Sequence, residues 1–167
     1  SDASHAGLAN DARSTGGYIT LVNGTPVAWK SKTERHTSLS SCESELKQLS
    51  QSMSHAIKIR ETLHNFKMLP YETDIYVIGD NLPSVRNMLR PAGSSLKLQH
   101  MDKYYYFAQD YINNGIKLEH TTKEYMYADI LTKSLDTVSH EKWTSKLLEW
   151  DTERTPHKRS QLSPTEF

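Results

Sequence analysis

The first forty residues alternate between β-prone segments and a turn signal. Residues 17–22, "GYITLV", are followed by Asn-Gly at 23–24, a pair typical of tight hairpins, and then by a returning segment at 27–32. Residues 36–40, "HTSLS", resemble a further short strand. The pattern therefore predicts three antiparallel strands at the start of the chain.

The next segment of the chain has the periodicity of an amphipathic α-helix. Ser40 or Ser41 is a suitable N-cap, and acidic residues come directly after it. At about 100° per residue, the apolar positions fall on one side: Leu46, Leu49, Met53, Ala56, Ile57 and Leu63. The same angular count places Glu45 at the edge of this apolar arc and Glu43 outside it. We therefore expect a long amphipathic helix with Glu45 facing the sheet.

The second half alternates strands and helices. The nearly continuous apolar run at 73–81 predicts a central strand buried on both faces, and 115–122 predicts another strand. Helical segments are expected at 83–89, 99–113, 126–135 and 138–150. The order β-β-β-α-β-α-α-β-α-α predicts an α/β (α+β) fold, in which an antiparallel meander is followed by parallel strands in a mixed sheet covered by helices.

Composition sets limits on this picture. The 167 residues suit one domain, which we place at 1–150, and the polar segment 151–167 has no apolar period and is expected to be a disordered tail. No apolar run approaches the roughly 18 residues of a membrane span. The single Cys42 excludes an internal disulfide and suits a reducing compartment. A formal net charge of zero means that nucleic-acid binding would need a local basic patch.

Four acids stand where an unpaired side chain is costly: Asp2, Glu45, Asp80 and Asp129. Each has an ordinary alternative role. Asp2 could be solvated surface, Asp80 could cap the following helix, Glu45 could complement the helix dipole, and Asp129 could pair with Lys133 at i+4. Each of these roles is credible for one acid taken singly.

Ordered motifs carry a resemblance. They are "SDASHAG", "RSTGGYITLVNGTPVAWKSK", "TSLSSCESEL", "VIGDN", "QHMDKYYYF" and "LEHTTKEYMYADILTKSL". This series resembles the ribonuclease H domain of copia-type (Pseudoviridae) LTR retrotransposons, which follows the reverse transcriptase in the Gag-Pol polyprotein. The resemblance implies a ribonuclease H-like mixed sheet with helices on both faces. It also implies that most of the first strand precedes Asp2, so we expect a first strand truncated at its N-terminus.

The resemblance assigns the four acids a common task. Asp2, Glu45, Asp80 and Asp129 match the family's catalytic and metal-binding carboxylates, which hold two Mg²⁺ ions, with Mn²⁺ able to replace them. The implied activity is hydrolysis of the RNA strand of RNA·DNA hybrids during reverse transcription. The alternative is a catalytically silent ribonuclease H-like domain that tethers or supports a reverse transcriptase.

The resemblance also implies partners and surroundings. The partners are an RNA·DNA hybrid and the reverse transcriptase domain of the same polyprotein, with no membrane and no small-molecule cofactor. The expected location is intracellular, in a cytoplasmic virus-like particle or the nucleus. Candidate substrate contacts, for several of which solvated surface charge is the alternative, are Arg13, Ser14, Thr15, Lys30, Lys32, Arg86, Lys103, Asn81 and His100. His100 has a structural role as its alternative, and Trp29 is expected in the core.

Overall fold

The computed structural model describes residues 1–4, 13–35, 38, 40–90 and 102–148. Its first sheet has three antiparallel strands in chain order: β1 Asp2–Ser4, β2 Thr15–Val22 and β3 Thr25–Thr33. Its second sheet has two parallel strands, β4 Ile75–Gly79 and β5 Ile116–His120. The helices are α1 Ser41–Asn65, α2 Leu82–Met88, α3 Asp102–Asn113 and α4 Thr137–Leu148. The predicted mixed α/β class is confirmed.

The Asn-Gly hairpin forms as predicted. Asn23 and Gly24 join β2 to β3 and have φ values of 50° and 81°, the left-handed conformation that a two-residue hairpin turn requires. Gly17 of β2 lies opposite both Asp2 of β1 and Ser31 of β3. Strand β1 therefore pairs with the β2 edge of the hairpin.

The third antiparallel strand differs from the one predicted. It is β1, only three residues long, whereas Ser40 of the segment 36–40 is the N-cap of α1. Ser38 is not in a strand, and residues 36, 37 and 39 lie outside the described part. The prediction was wrong because a Ser/Thr-rich segment suits a cap as well as a strand, and pairing with a distant segment leaves no local signal.

The long helix forms the centre of the core. The Ser40 side chain accepts a hydrogen bond of 3.1 Å from the Glu43 backbone N–H, which satisfies a free donor at the helix start. The predicted apolar side packs against β4, α2 and α3, with Leu46, Leu49, Met53 and Ile57 all buried. This packing fixes the rotation of α1, so Glu45 points at β1 as expected.

Strand β4 is less enclosed than its apolar run suggests. Val77 and Gly79 are buried towards α1, but Ile78 is 38% exposed. Within the described residues β4 pairs only with β5, and the Ser1 nitrogen donates a hydrogen bond of 2.7 Å to the Ile78 carbonyl. The expectation of burial on both faces was therefore wrong, and the Ser1 contact links the two sheets.

The prediction that Trp29 lies in the core was also wrong. It lies on the outer face of β3 with Val27 and is 68% exposed, not in the core. The alternation of β3 shows which residues share a face, but it does not show whether another layer covers that face.

The segment 126–135 forms a tighter helix than predicted. It contains the 3₁₀ helix Tyr127–Leu131, followed after a short loop by α4. The Ser31 hydroxyl donates a hydrogen bond of 2.6 Å to the Leu131 carbonyl, and Trp143 of α4 packs edge-on against Tyr127 at 5.3 Å. These contacts seat the 3₁₀ helix on the outer face of the antiparallel sheet. None of the described helices is both long and apolar enough to cross a membrane.

We expect Gly17→Ala to displace this 3₁₀ helix. A Cβ at Gly17 would lie 2.8 Å from the Leu131 Cβ, an atom that cannot rotate away. The variant should lose about 1–3 kcal/mol of unfolding free energy, measured by urea denaturation. Gly16→Ala is the matched control, because its Cβ would meet the movable amide end of Gln48. Equal losses of unfolding free energy in the two variants would contradict close packing of Gly17 against Leu131.

Candidate metal centre

Three carboxylates converge where the two sheets meet. Asp2 begins β1, Glu45 lies in the second turn of α1, and Asp80 directly follows β4. One oxygen from each lies within 4.8 Å of the others. Asp2 and Glu45 are 3% and 4% exposed. The residues come from three distant parts of the sequence, so the cluster is a product of the tertiary fold.

Asp129 lies beside this cluster on the 3₁₀ helix Tyr127–Leu131. It is buried, and its Oδ1 forms an ion pair of 2.8 Å with the Lys133 ammonium. The same ammonium is 3.8 Å from the Asp2 carboxylate. The structure therefore brings all four predicted acids into one neighbourhood. The i+4 pair considered for Asp129 is also present, so the two interpretations of this residue are compatible.

Thr132 contacts both Asp2 and Asp129. Its hydroxyl donates a hydrogen bond to the Asp2 carboxylate and lies 3.3 Å from the Asp129 carbonyl oxygen. The "A-D-x-x-T-K" spacing thus places Thr132 on Asp2 and Lys133 on Asp129. Thr132 was not among the site residues predicted from the sequence. The motif itself was the available signal, but the contact spans 130 positions and could not be deduced from spacing.

Three of the acids have a raised pKa, chiefly because they are buried. Burial raises the pKa of Glu45 to about 8, helped by the charges of Asp2 and Asp80 and opposed by a hydrogen bond from the Ala3 backbone N–H. Burial, and then the charge of Asp2, raises the pKa of Asp80. Burial also raises the pKa of Asp129, which the hydrogen bond from Lys133 counteracts. Carboxylates held together in this way favour a neutralising cation.

The donor set fits a hard divalent cation. Such ions take oxygen ligands, and carboxylates are the usual protein donors for Mg²⁺. The Oε2 atom of Glu45 is buried and accepts no hydrogen bond from any described residue, so one coordinating oxygen is available inside the cluster. The neighbouring Asn81 is not a competing ligand through its oxygen, because that atom caps α2 by accepting from the Ser84 backbone N–H at 2.9 Å. Asp80, considered as that cap, does not hold the position.

The predicted substrate contacts differ in exposure. Arg13, Lys32, Arg86 and Lys103 are exposed, whereas Thr15 and Lys30 are half-buried. Ser14 is fully buried and shares a hydrogen bond of 2.7 Å with the Ser44 hydroxyl, so it lies behind the surface. Lys32 lines a cavity of about 210 Å³ with Lys47 and Tyr104. His100 lies outside the described residues.

His120 was predicted to lie within a strand, and it does. It ends β5, and its Nε2 is 3.1 Å from the Asp80 carbonyl oxygen. This contact places an imidazole beside the backbone of a cluster residue, but not in the cluster.

Comparison with known proteins indicates a mobile-element origin. The chain is 28% identical over 149 residues to the retrovirus-related Pol polyproteins from transposons RE2 and RE1 of Arabidopsis thaliana, a match that covers 88% of this chain. It is also 44% identical over 57 residues to secreted RxLR effector protein 161 of Plasmopara viticola, which covers 34% of this chain and 40% of that protein. The chain spans about a tenth of the length of the Pol polyproteins it matches.

No protein-family model matches the chain, and no solved structure matches it either. The Pol similarities extend over most of the chain, and they support a retrotransposon Pol origin.

Proposed function

We propose that this chain is a metal-dependent ribonuclease H that hydrolyses the RNA strand of RNA·DNA hybrids during retrotransposon reverse transcription. The observation that carries the proposal is the convergence of Asp2, Glu45 and Asp80, with Asp129 beside them. The similarity to Pol polyproteins supports the biological setting. The order of strands and helices is consistent with the ribonuclease H-like fold that the sequence motifs imply.

Asp2, Glu45 and Asp80 would hold one Mg²⁺ or Mn²⁺ ion, and Asp129 would contribute to a second. Two such ions activate an attacking water and stabilise the leaving oxygen of a phosphodiester. The chain's own contribution is to position the ligands. Thr132 holds one Asp2 oxygen, and the Ala3 N–H holds one Glu45 oxygen at 3.2 Å. The other Glu45 oxygen, Oε2, accepts no hydrogen bond from any described residue and would be available to a cation.

Choice of the RNA strand would rest on its 2′-hydroxyl, which distinguishes RNA from DNA at a given site. The exposed cations Arg13, Lys32, Arg86 and Lys103 are the candidates for phosphate contacts. The further partner in this proposal is the reverse transcriptase domain of the same polyprotein. The proposed location is a cytoplasmic virus-like particle or the nucleus, where reverse transcription products are made or delivered.

The test is cleavage of an end-labelled RNA·DNA hybrid in Mg²⁺ or Mn²⁺. We expect RNA cuts that leave 3′-hydroxyl and 5′-phosphate ends, no cutting of the DNA strand, and complete inhibition by EDTA. RNA·RNA and DNA·DNA duplexes of the same sequence are the substrate controls. Binding of the hybrid without cleavage at any metal concentration would favour the silent tethering domain instead.

A further inference from the structure

Lys133 occupies an unusual position for a cation. Its ammonium lies 2.8 Å from Asp129 and 3.8 Å from Asp2. It therefore bridges Asp129, which lies beside the three-carboxylate cluster, and Asp2, which belongs to that cluster. In the described part of the chain, it is the side-chain cation that forms ion pairs with the four acids. It therefore neutralises charge at the place where a bound metal ion would do so.

The geometry separates Asp129 from the other three acids. Asp2, Glu45 and Asp80 can present oxygens to a single ion, whereas the Oδ1 of Asp129 is directed at the Lys133 ammonium. A divalent ion that used Asp129 would have to displace this ammonium or lie close to it. Because like charges repel, an ion at Asp2 and the ammonium of Lys133 oppose each other even without sharing a ligand.

The side chain of Lys133 is free to leave. It is 35% exposed, and lysine carries a flexible stem that ends in a compact charge. A phosphodiester placed on the acids would offer this ammonium an anionic partner of the same strength. The pair with Asp129 would then be exchanged for a contact with substrate at small cost.

We propose that Lys133 is an intramolecular counter-ion that keeps Asp129 from binding a metal ion until substrate is bound. In the free protein it keeps this acid from metal, so that one divalent ion binds at Asp2, Glu45 and Asp80. A second ion gains access to Asp129 only when a substrate phosphodiester draws the ammonium away. This inference rests on the proposed metal-dependent function, and it assigns Lys133 a positioning role that the four-acid motif does not include.

The experiment is calorimetric titration of the nucleic-acid-free chain with Mn²⁺. We expect one ion per chain for the wild type and for Lys133→Arg, which keeps the charge. Lys133→Met should bind the first ion roughly tenfold more tightly because the opposing charge is gone, and a second ion should become detectable. Identical isotherms for Lys133→Met and the wild type would overturn the proposal.

Two further variants keep the result interpretable. Asp129→Asn/Lys133→Met removes both members of the pair and leaves no uncompensated charge. Because the attraction of the Asp129 carboxylate is lost together with the repulsion of the ammonium, this variant should bind one ion with roughly the wild-type affinity. A second ion in this variant would overturn the proposal even if Lys133→Met does not fold. Asp80→Asn tests the proposed function separately. If it binds Mn²⁺ as the wild type does, the acids are not the metal site and the proposed function fails.

Discussion

Replacing Asp80 by asparagine is expected to lower cleavage of the RNA·DNA hybrid by at least about 100-fold. Loss of a residue that merely orients a metal ligand typically costs 10–100-fold in affinity or activity, and Asp80 would be a ligand itself. Its carboxylate belongs to the three-oxygen cluster with Asp2 and Glu45. Asparagine keeps the shape but removes the charge that holds a hard cation.

The folded state should not suffer from this change. Burial and the charge of Asp2 raise the pKa of Asp80, so its ionised form is less favourable in the folded protein than in the unfolded chain. Removing that charge at pH 7 should leave the metal-free protein as stable as the wild type or more so. Urea denaturation in EDTA measures this directly.

Asp110→Asn is the matched control for activity. Asp110 is an exposed acid on α3, and the substitution removes the same charge away from the cluster. It should cleave within about twofold of the wild type, because exposed charges contribute little. If Asp80→Asn and Asp110→Asn cleave equally well, Asp80 is not part of the catalytic centre.

Local physics explains which parts of the fold were predictable. The 3.6-residue period of an α-helix fixes where each side chain points, so the apolar stripe of α1 is enough to predict that Glu45 lies on the inner side. The Asn-Gly turn carries its own conformational preference, which is why the hairpin was placed correctly. Both signals lie within a few residues of the feature that they determine.

The errors share a different cause. The pairing of β1 with β2, the exposure of Trp29 and the partly open face of β4 depend on which other segment covers each strand. The contact of Thr132 with Asp2 likewise joins residues that are 130 positions apart in the sequence. No local pattern encodes these contacts, so the four acids could be named from the sequence, but the residues that hold them could not.

Glu45→Gln is expected to flatten the pH dependence of stability of the metal-free protein. The pKa of Glu45 is about 8 in the folded chain, against an ordinary value of 4.5, chiefly because of burial. Between these two values the unfolded chain loses the Glu45 proton and the folded chain keeps it. Loss of this proton stabilises the unfolded chain relative to the folded one, so the unfolding free energy of the wild type falls as pH rises from about 4.5 to about 8.

Glutamine mimics the protonated acid and its oxygen still accepts the hydrogen bond from the Ala3 N–H. The variant should match the wild type near pH 4.5 and exceed it by on the order of 3 kcal/mol above pH 8. Urea denaturation in EDTA across this range measures the difference, with Glu61→Gln, on the exposed side of α1, as the control. Parallel curves for the wild type and Glu45→Gln would show that Glu45 is ionised without metal.

The same proton links stability to metal binding. A carboxylate must be deprotonated before it can ligate a cation, so uptake of Mn²⁺ at pH 7 should release close to one proton from Glu45. Calorimetry in two buffers of different ionisation enthalpy measures this release. Glu45→Gln should release no such proton and should bind Mn²⁺ much more weakly, although it is the more stable protein at neutral pH. A gain in metal-free stability joined to a loss of metal affinity is the behaviour of a residue kept for binding at the expense of folding.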